Sequence, residues 1–214
     1  MEKHILNVAA WCNRTTALGP GIRAVVWVQW CPFRCKGCIA PDWIPIKPAR
    51  QYSPSSLADT LLSDPEVNGI TLSGGEPILQ ASALIELIIA AKAIRDIDII
   101  LFTGYYYENL KAFPESSPAS RLLSQIDVLI EGPYEDAHND NRGLRGSSNQ
   151  RVIHLTQKLA GYDFINQPRQ SEILVTDGEM LFIGIPPHGA HPDSCLRLNL
   201  PAVRNKVGEM YERA

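Results

Sequence analysis

Apolar residues in this chain fall into short blocks whose spacing alternates between strand and helix. Ala24–Trp30 reads AVVWVQW, an almost unbroken β-branched and aromatic run stopped by Cys31-Pro32; it predicts a buried strand. Ser53-Pro54 places an N-cap before a proline at the first helical position and opens a helix to about Ser63. Val67–Ser73 (VNGITLS) predicts a second strand, broken by Gly74-Gly75-Glu76-Pro77. Leu79–Ile94 predicts a long helix with Leu84, Leu87, Ile88 and Ala91 on one face. Asp98–Thr103 (DIILFT) and Ile126–Ile130 (IDVLI) predict a third and a fourth strand, followed by Gly104 and by Glu131-Gly132-Pro133.

Strands separated by helices indicate βαβ units, an α/β class and a parallel sheet. In such folds ligands collect at the carboxyl ends of the strands. Cys31, Gly74 and Gly104, far apart in sequence, are therefore expected at one end of the sheet. The last third differs. Asp136–Ser148 is polar and reads as a loop, and Glu172–Ile185 reads as a β-hairpin turning at Asp177-Gly178.

Composition narrows the function classes. The 214 residues suffice for one core with an appendage, and 45% apolar with 20% charged residues is an ordinary globular balance. The net charge of −3 argues against a nucleic-acid binder that works through counterion release. The longest apolar stretch, Ala81–Ile94, is interrupted by Glu86 and Lys92, so no membrane span is expected. The first apolar run is too short for a signal peptide, which leaves a cytoplasmic location as the expectation.

Of the five cysteines, three sit within eight residues, in Cys31-Pro-Phe-Arg-Cys35-Lys-Gly-Cys38. Three thiolates on one tight loop suit an iron–sulfur cluster or a soft metal ion. A [4Fe-4S] cube held by three cysteines keeps one iron open to a small molecule. The alternative is a zinc site with a fourth ligand from Cys12, Cys195, His188 or His191, although zinc cysteines usually come as two separated pairs. Otherwise Cys12 and Cys195 read as small hydrophobes or free thiols, and the two histidines as tail residues. Gly74-Gly75 permits close approach to backbone. Glu76 supplies a carboxylate acceptor for a cationic amine.

The C-x3-C-x2-C loop at the end of the first predicted strand, with Gly-Gly-Glu-Pro after the second, resembles the radical S-adenosylmethionine (SAM) enzymes. Gly19-Pro20-Gly21-Ile22-Arg23 resembles the activating enzymes of glycyl-radical enzymes. Phe102-Thr103-Gly104-Tyr105, Glu131-Gly132-Pro133-Tyr134 and Arg145–Gln150 resemble the activases of anaerobic ribonucleotide reductase. The resemblance implies an open, partial β/α barrel over residues 1–155, with 156–214 as a hairpin-bearing extension. It implies a [4Fe-4S] cluster on Cys31, Cys35 and Cys38, and SAM against Gly37, Ile39, Gly74, Gly75, Glu76, Thr103 and Tyr105. An external one-electron reductant such as flavodoxin or ferredoxin would feed the cluster. A 5′-deoxyadenosyl radical would then abstract hydrogen from a glycyl-radical enzyme partner.

Two departures bear on the target. Gly37 stands where many members have an aromatic residue, a feature shared with the ribonucleotide reductase activases, and the chain runs about sixty residues past the Ser-Asn-Gln block where the compact activases stop. A stand-alone radical SAM enzyme acting on a peptide or small molecule is the alternative, and a non-catalytic iron–sulfur or zinc module the remote one. The block Asn141–Arg151, with three arginines, reads as a SAM contact, a partner contact or a solvated loop.

Overall fold

The computed structural model describes residues 4–176 and 179–188. Its centre is a seven-stranded sheet in the order β3-β1-β2-β4-β5-β6-β7. The strands are β1 (Leu6–Thr15), β2 (Arg23–Val28), β3 (Arg50–Tyr52), β4 (Gly69–Gly74), β5 (Asp98–Thr103), β6 (Val128–Glu131) and β7 (Arg151–His154). The four middle strands, β2, β4, β5 and β6, are parallel. They are the four strands that the hydrophobic pattern predicts. The flanking strands β1, β3 and β7 run antiparallel to their neighbours, so the sheet is mixed and open, with β3 and β7 at its edges.

The crossovers are α1 (Pro54–Leu61), α2 (Ala81–Ile94), and the pair α3 (Tyr107–Lys111) and α4 (Pro118–Leu123). Ser53 and Ser117 cap α1 and α4: each hydroxyl accepts from the backbone N–H three residues on, and each is followed by proline. The predicted second helix begins two residues late. Pro77–Gln80 forms a 3-10 turn, whose first free N–H donates to the Glu76 carboxylate, before α2 begins.

Strand alternation sorts side chains onto two faces. Val26, Ile70, Leu72, Ile99, Leu101 and Leu129 face α1, α2 and α4, meeting Leu57, Leu61, Leu84, Leu87, Ile88 and Leu122. Seven of fourteen α2 residues are buried here, so this apolar helix is a core helix. Val25, Trp27, Ile100, Val128 and Ile130 face the other way. There they meet Leu144 and Phe164, and the hairpin β8 (Ser171–Thr176) with β9 (Glu179–Gly184) through Leu174, Leu181 and Ile183. The predicted hairpin is present, while its Asp177-Gly178 turn lies outside the described residues. Far from trailing free, this segment covers the second face of the sheet.

Strands β1, β3 and β7 were not legible. In β1 most positions are buried on both sides, so no alternation marks it. Strands β3 and β7 are three and four residues long and rich in polar residues. The Gly19–Arg23 motif is structural here. The Arg23 guanidinium is fully buried, pairs with Asp98 at 2.6 Å and donates to Thr71 Oγ1 (2.8 Å) and the Ile70 carbonyl (3.0 Å). A Cβ on Gly19 or Gly69 would stand 2.7 Å or less from that side chain.

Candidate active site

The loops that follow β2, β4, β5 and β6 open into one cavity of about 1010 Å³. Cys31, Cys35, Gly37, Cys38 and Ile39 form one wall, and Gly74, Gly75, Glu76, Thr103 and Gly104 line its base. The expected convergence of Cys31, Gly74 and Gly104 is therefore observed. Tyr105 stands outside the lining. It packs edge-on against Phe33 of the cysteine loop, with ring centroids 4.9 Å apart.

The cysteine loop leaves β2 through a sharp turn. Trp30 adopts φ +82°, an unusual angle for a residue with a side chain. Its N–H donates to the Trp43 carbonyl and its carbonyl accepts from Glu76 N–H, both at 2.7 Å. Gln29, the one polar residue in AVVWVQW, is buried and donates to the carbonyls of Asp42 and Pro45, tying down the return of the loop. Trp43 then tilts against Trp27 at 6.0 Å.

The glycines after β4 serve the chain's own close contacts. A Cβ on Gly74 would lie 2.4 Å from Val28 N, and one on Gly75 would lie 2.1 Å from the Trp30 carbonyl oxygen. A Cβ on Gly104 would strike the Phe33 ring at 2.6 Å, and one on Gly37 would meet the Asp136 carboxylate at 2.9 Å. Both Gly37 and Gly74 have positive φ. The glycines let four loops close to contact distance around the cavity.

Glu76 joins those loops. Its side chain is buried; Oε1 accepts from Ile78 N–H (3.0 Å) and Thr103 Oγ–H (2.8 Å), and Oε2 accepts from Gly104 N–H (2.8 Å). Burial outweighs these bonds and raises its pKa from 4.5 to about 7. Among the described residues no side-chain cation bonds to it, and a carboxylate has about four acceptor positions. One therefore remains on Oε2, in a group whose charge a cationic ligand would stabilise.

The cysteines fit an electropositive centre by the same reasoning. Burial pushes the Cys31 thiol up to about 11, with Glu76 and the other two cysteines adding to the rise, and burial raises Cys38 as well. A bound metal centre would hold such thiols as thiolates. Among the described residues, no three His, Cys, Asp or Glu side chains converge closely enough to hold a single metal ion. A tetrahedral zinc needs that convergence, whereas a cube takes each thiolate on a different iron. Cys12 is buried in β1, its thiol pushed up to about 12, while Cys195 and His191 lie outside the described residues.

Two wall residues, Asp136 and Asn139, escape the sequence reading, while their neighbour Tyr134 belongs to the Glu131–Tyr134 motif. Tyr134, Asp136 and Asn139 border the cavity and bond to one another, with Tyr134 O–H donating to Asp136 Oδ1 at 2.8 Å. The 145–150 block is knitted in, where a solvated loop was one expectation. Gln150 accepts from Gly146 N–H (2.8 Å) and donates to the Gly132 carbonyl (2.7 Å), and Asn149 donates to the Pro133 carbonyl (2.9 Å). The hairpin also borders the cavity, which its position more than 130 residues from the cysteines concealed.

Residues 17–153 match the family described as the 4Fe-4S single cluster domain. The anaerobic ribonucleoside-triphosphate reductase-activating protein of Enterobacteria phage T4 is 30% identical over 150 residues, 68% of this chain and 92% of its own length. The pyruvate formate-lyase-activating enzyme of Listeria monocytogenes is 39% identical over 149 residues, and that of Staphylococcus aureus 35% over 152. This chain spans 59% of the length of each of those two.

Proposed function

The chain belongs to the family of 4Fe-4S single cluster domains, and from that membership we propose that it is a radical SAM activase. It reductively cleaves SAM and installs a glycyl radical on a large partner, an anaerobic ribonucleotide reductase or a similar glycyl-radical enzyme. The observation that carries this reading is the cavity: the cysteine loop, the Gly-Gly-Glu turn and the Thr103-Gly104 turn border one space, with Glu76 bonded across two of them. The relatives named for reductase and lyase activation support the choice of target.

Cys31, Cys35 and Cys38 would hold the cluster. Glu76, with the backbone of Gly74 and Gly75, would receive the ammonium of the methionyl group, and Gly37, Ile39, Thr103 and Tyr105 complete the proposed contact set. When bound, the cluster and SAM supply a one-electron cleavage of the sulfonium C–S bond, giving methionine and a 5′-deoxyadenosyl radical that takes a hydrogen atom from the target glycine. The chain's part is to orient the ligand and exclude water, and Glu76 and Thr103, both buried at the base of the cavity, suit both tasks. On this reading the open sheet is a partial β/α barrel, the electron comes from a flavodoxin or ferredoxin, and the protein works in the cytoplasm.

One observation favours a second reading. The extension past residue 153 borders the cavity, so it suits an enzyme with its own peptide or small-molecule substrate. Anaerobic reconstitution with iron and sulfide, then addition of SAM and dithionite, tests the shared chemistry. 5′-Deoxyadenosine formation that is lost in Cys35→Ala is expected. Tightly held zinc and no cluster would overturn it. Radical formation on a purified anaerobic reductase then separates the two targets.

A further inference from the structure

The wall of the cavity contributed by the hairpin has an unusual orientation. Met180, Leu181 and Phe182 are consecutive in β9, and all three border the cavity. Successive side chains of a strand point to opposite faces, so consecutive residues share one cavity only where the strand presents its edge. Strand β8 takes one edge of β9, and the hairpin forms a sheet of two strands only. Among the described residues, no backbone hydrogen bond from another segment reaches the other edge.

The register says which groups lie on that edge. Thr176 pairs with Glu179 across two intervening residues, the spacing at which the closing pair exchanges both backbone hydrogen bonds. Alternation then directs the N–H and C=O groups of Leu181 and Ile183 to β8, and those of Met180, Phe182 and Gly184 outward. A row of unpaired backbone groups is a template for an added strand. Here that row borders the same cavity as the cysteine loop, and Phe182, Met180 and Ile173 give it apolar flanks.

We propose that the free edge of β9 receives an extended polypeptide segment of the substrate protein as a third strand, which holds that segment's backbone in the cavity shared with Cys31, Cys35 and Cys38. A glycine in the segment offers Cα–H on either side without a side chain to clear. β-Branched residues around it suit the pleat and the apolar flanks. The hairpin is anchored for this role at both ends. Glu172 accepts from Thr15 Oγ1, Thr16 N–H and Thr16 Oγ1 at 2.7–2.8 Å, and Arg169 donates to the carbonyls of Arg145, Gly146 and Pro186. The chemistry done on the segment rests on the activase reading, but its binding does not.

The test uses the reconstituted full chain and an acetylated, amidated Thr-Val-Thr-Gly-Thr-Val-Thr peptide. Hydrogen exchange is read at single amides by mass spectrometry. With peptide at up to about 1 mM, the amides of Met180, Phe182 and Gly184 are expected to slow by roughly tenfold or more, while Leu181 and Ile183 change little. Phe182→Pro removes an outward N–H and leaves pairing to β8 intact; it is expected to weaken peptide binding by about tenfold, and Phe182→Ala by less. Unchanged exchange at the three amides, or equal losses in the two variants, overturns the proposal. Deoxyadenosine is assayed in the same samples with SAM and dithionite. Protection without deoxyadenosine sinks the activase reading and upholds strand addition, and deoxyadenosine without protection does the reverse.

Discussion

Replacing Glu76 with glutamine should reverse its effect on stability between acid and mildly alkaline pH. The wild-type carboxyl is buried and titrates at about 7 in the folded chain against 4.5 when unfolded. A folded value above the unfolded one means that the stability it contributes is fully present below the lower value. That stability is lost as pH rises through the upper one. Between pH 5 and pH 8 the linkage relation removes roughly 2–3 kcal/mol from the wild-type unfolding free energy. Glu76→Gln has no such term. It carries a constant cost of about 1–3 kcal/mol, because the amide group that replaces one oxygen either faces Gly104 N–H or leaves Ile78 and Thr103 without their acceptor. Wild type should therefore be the more stable at pH 5, with the gap closed or inverted at pH 8. Urea unfolding of both metal-free proteins at four pH values in that range measures this. Differences that stay constant to within about 0.5 kcal/mol, well under the roughly 2–3 kcal/mol expected from linkage, would refute the argument that burial dominates at this carboxyl.

Gly75→Ala should cost about 1–3 kcal/mol in chemical unfolding, because its Cβ would lie 2.1 Å from the Trp30 carbonyl oxygen and that strand-end turn has no slack. Arg23→Met should lose about 3–5 kcal/mol by leaving the partly buried Asp98 unpaired, and adding Asp98→Asn should recover part of it; equal stability of single and double variants would show that the pair is not coupled. Arg169→Ala should speed amide exchange across β8 and β9 while α2 is unchanged, since its four bonds to Asn139, Arg145, Gly146 and Pro186 tie the hairpin to the segment between β6 and β7.

Much of the site was legible because its chemistry is local. Cys31, Cys35 and Cys38 occupy eight residues, and the strand before them is marked by its own β-branched run. The four parallel strands were legible for a related reason: each is short, apolar and bounded by glycine, proline or a capped helix. Strand β1 was not, since burial on both faces erases the alternation that identifies a strand. Edge strands β3 and β7 carry too few apolar residues to show a period.

The cavity wall illustrates the harder case. The sequence presents Glu76 as an acceptor for a ligand, and in the fold it also caps the turn before α2 and accepts from the loop after β5. Gly74 and Gly75 carry a ligand-contact reading in the sequence, and the fold places a second demand on them and on Gly104, because the space beside each belongs to Val28, Trp30 and Phe33. Such contacts join residues 28 to 71 positions apart, and no sequence window spans them.

The sequence by itself determined the clustering of three cysteines on one loop, the alternation of strands and helices, and the end of the sheet at which the strand-end loops meet, because these depend on residue type and on spacings of a few positions. The tertiary structure alone decided that residues 159–176 and 179–185 cover the second face of the sheet, that the 145–150 block is bonded into the cavity wall, and that β9 borders the cavity. Those outcomes depend on which apolar faces remain uncovered once the sheet has formed, and burial is non-directional, so no local pattern encodes which segment will cover them.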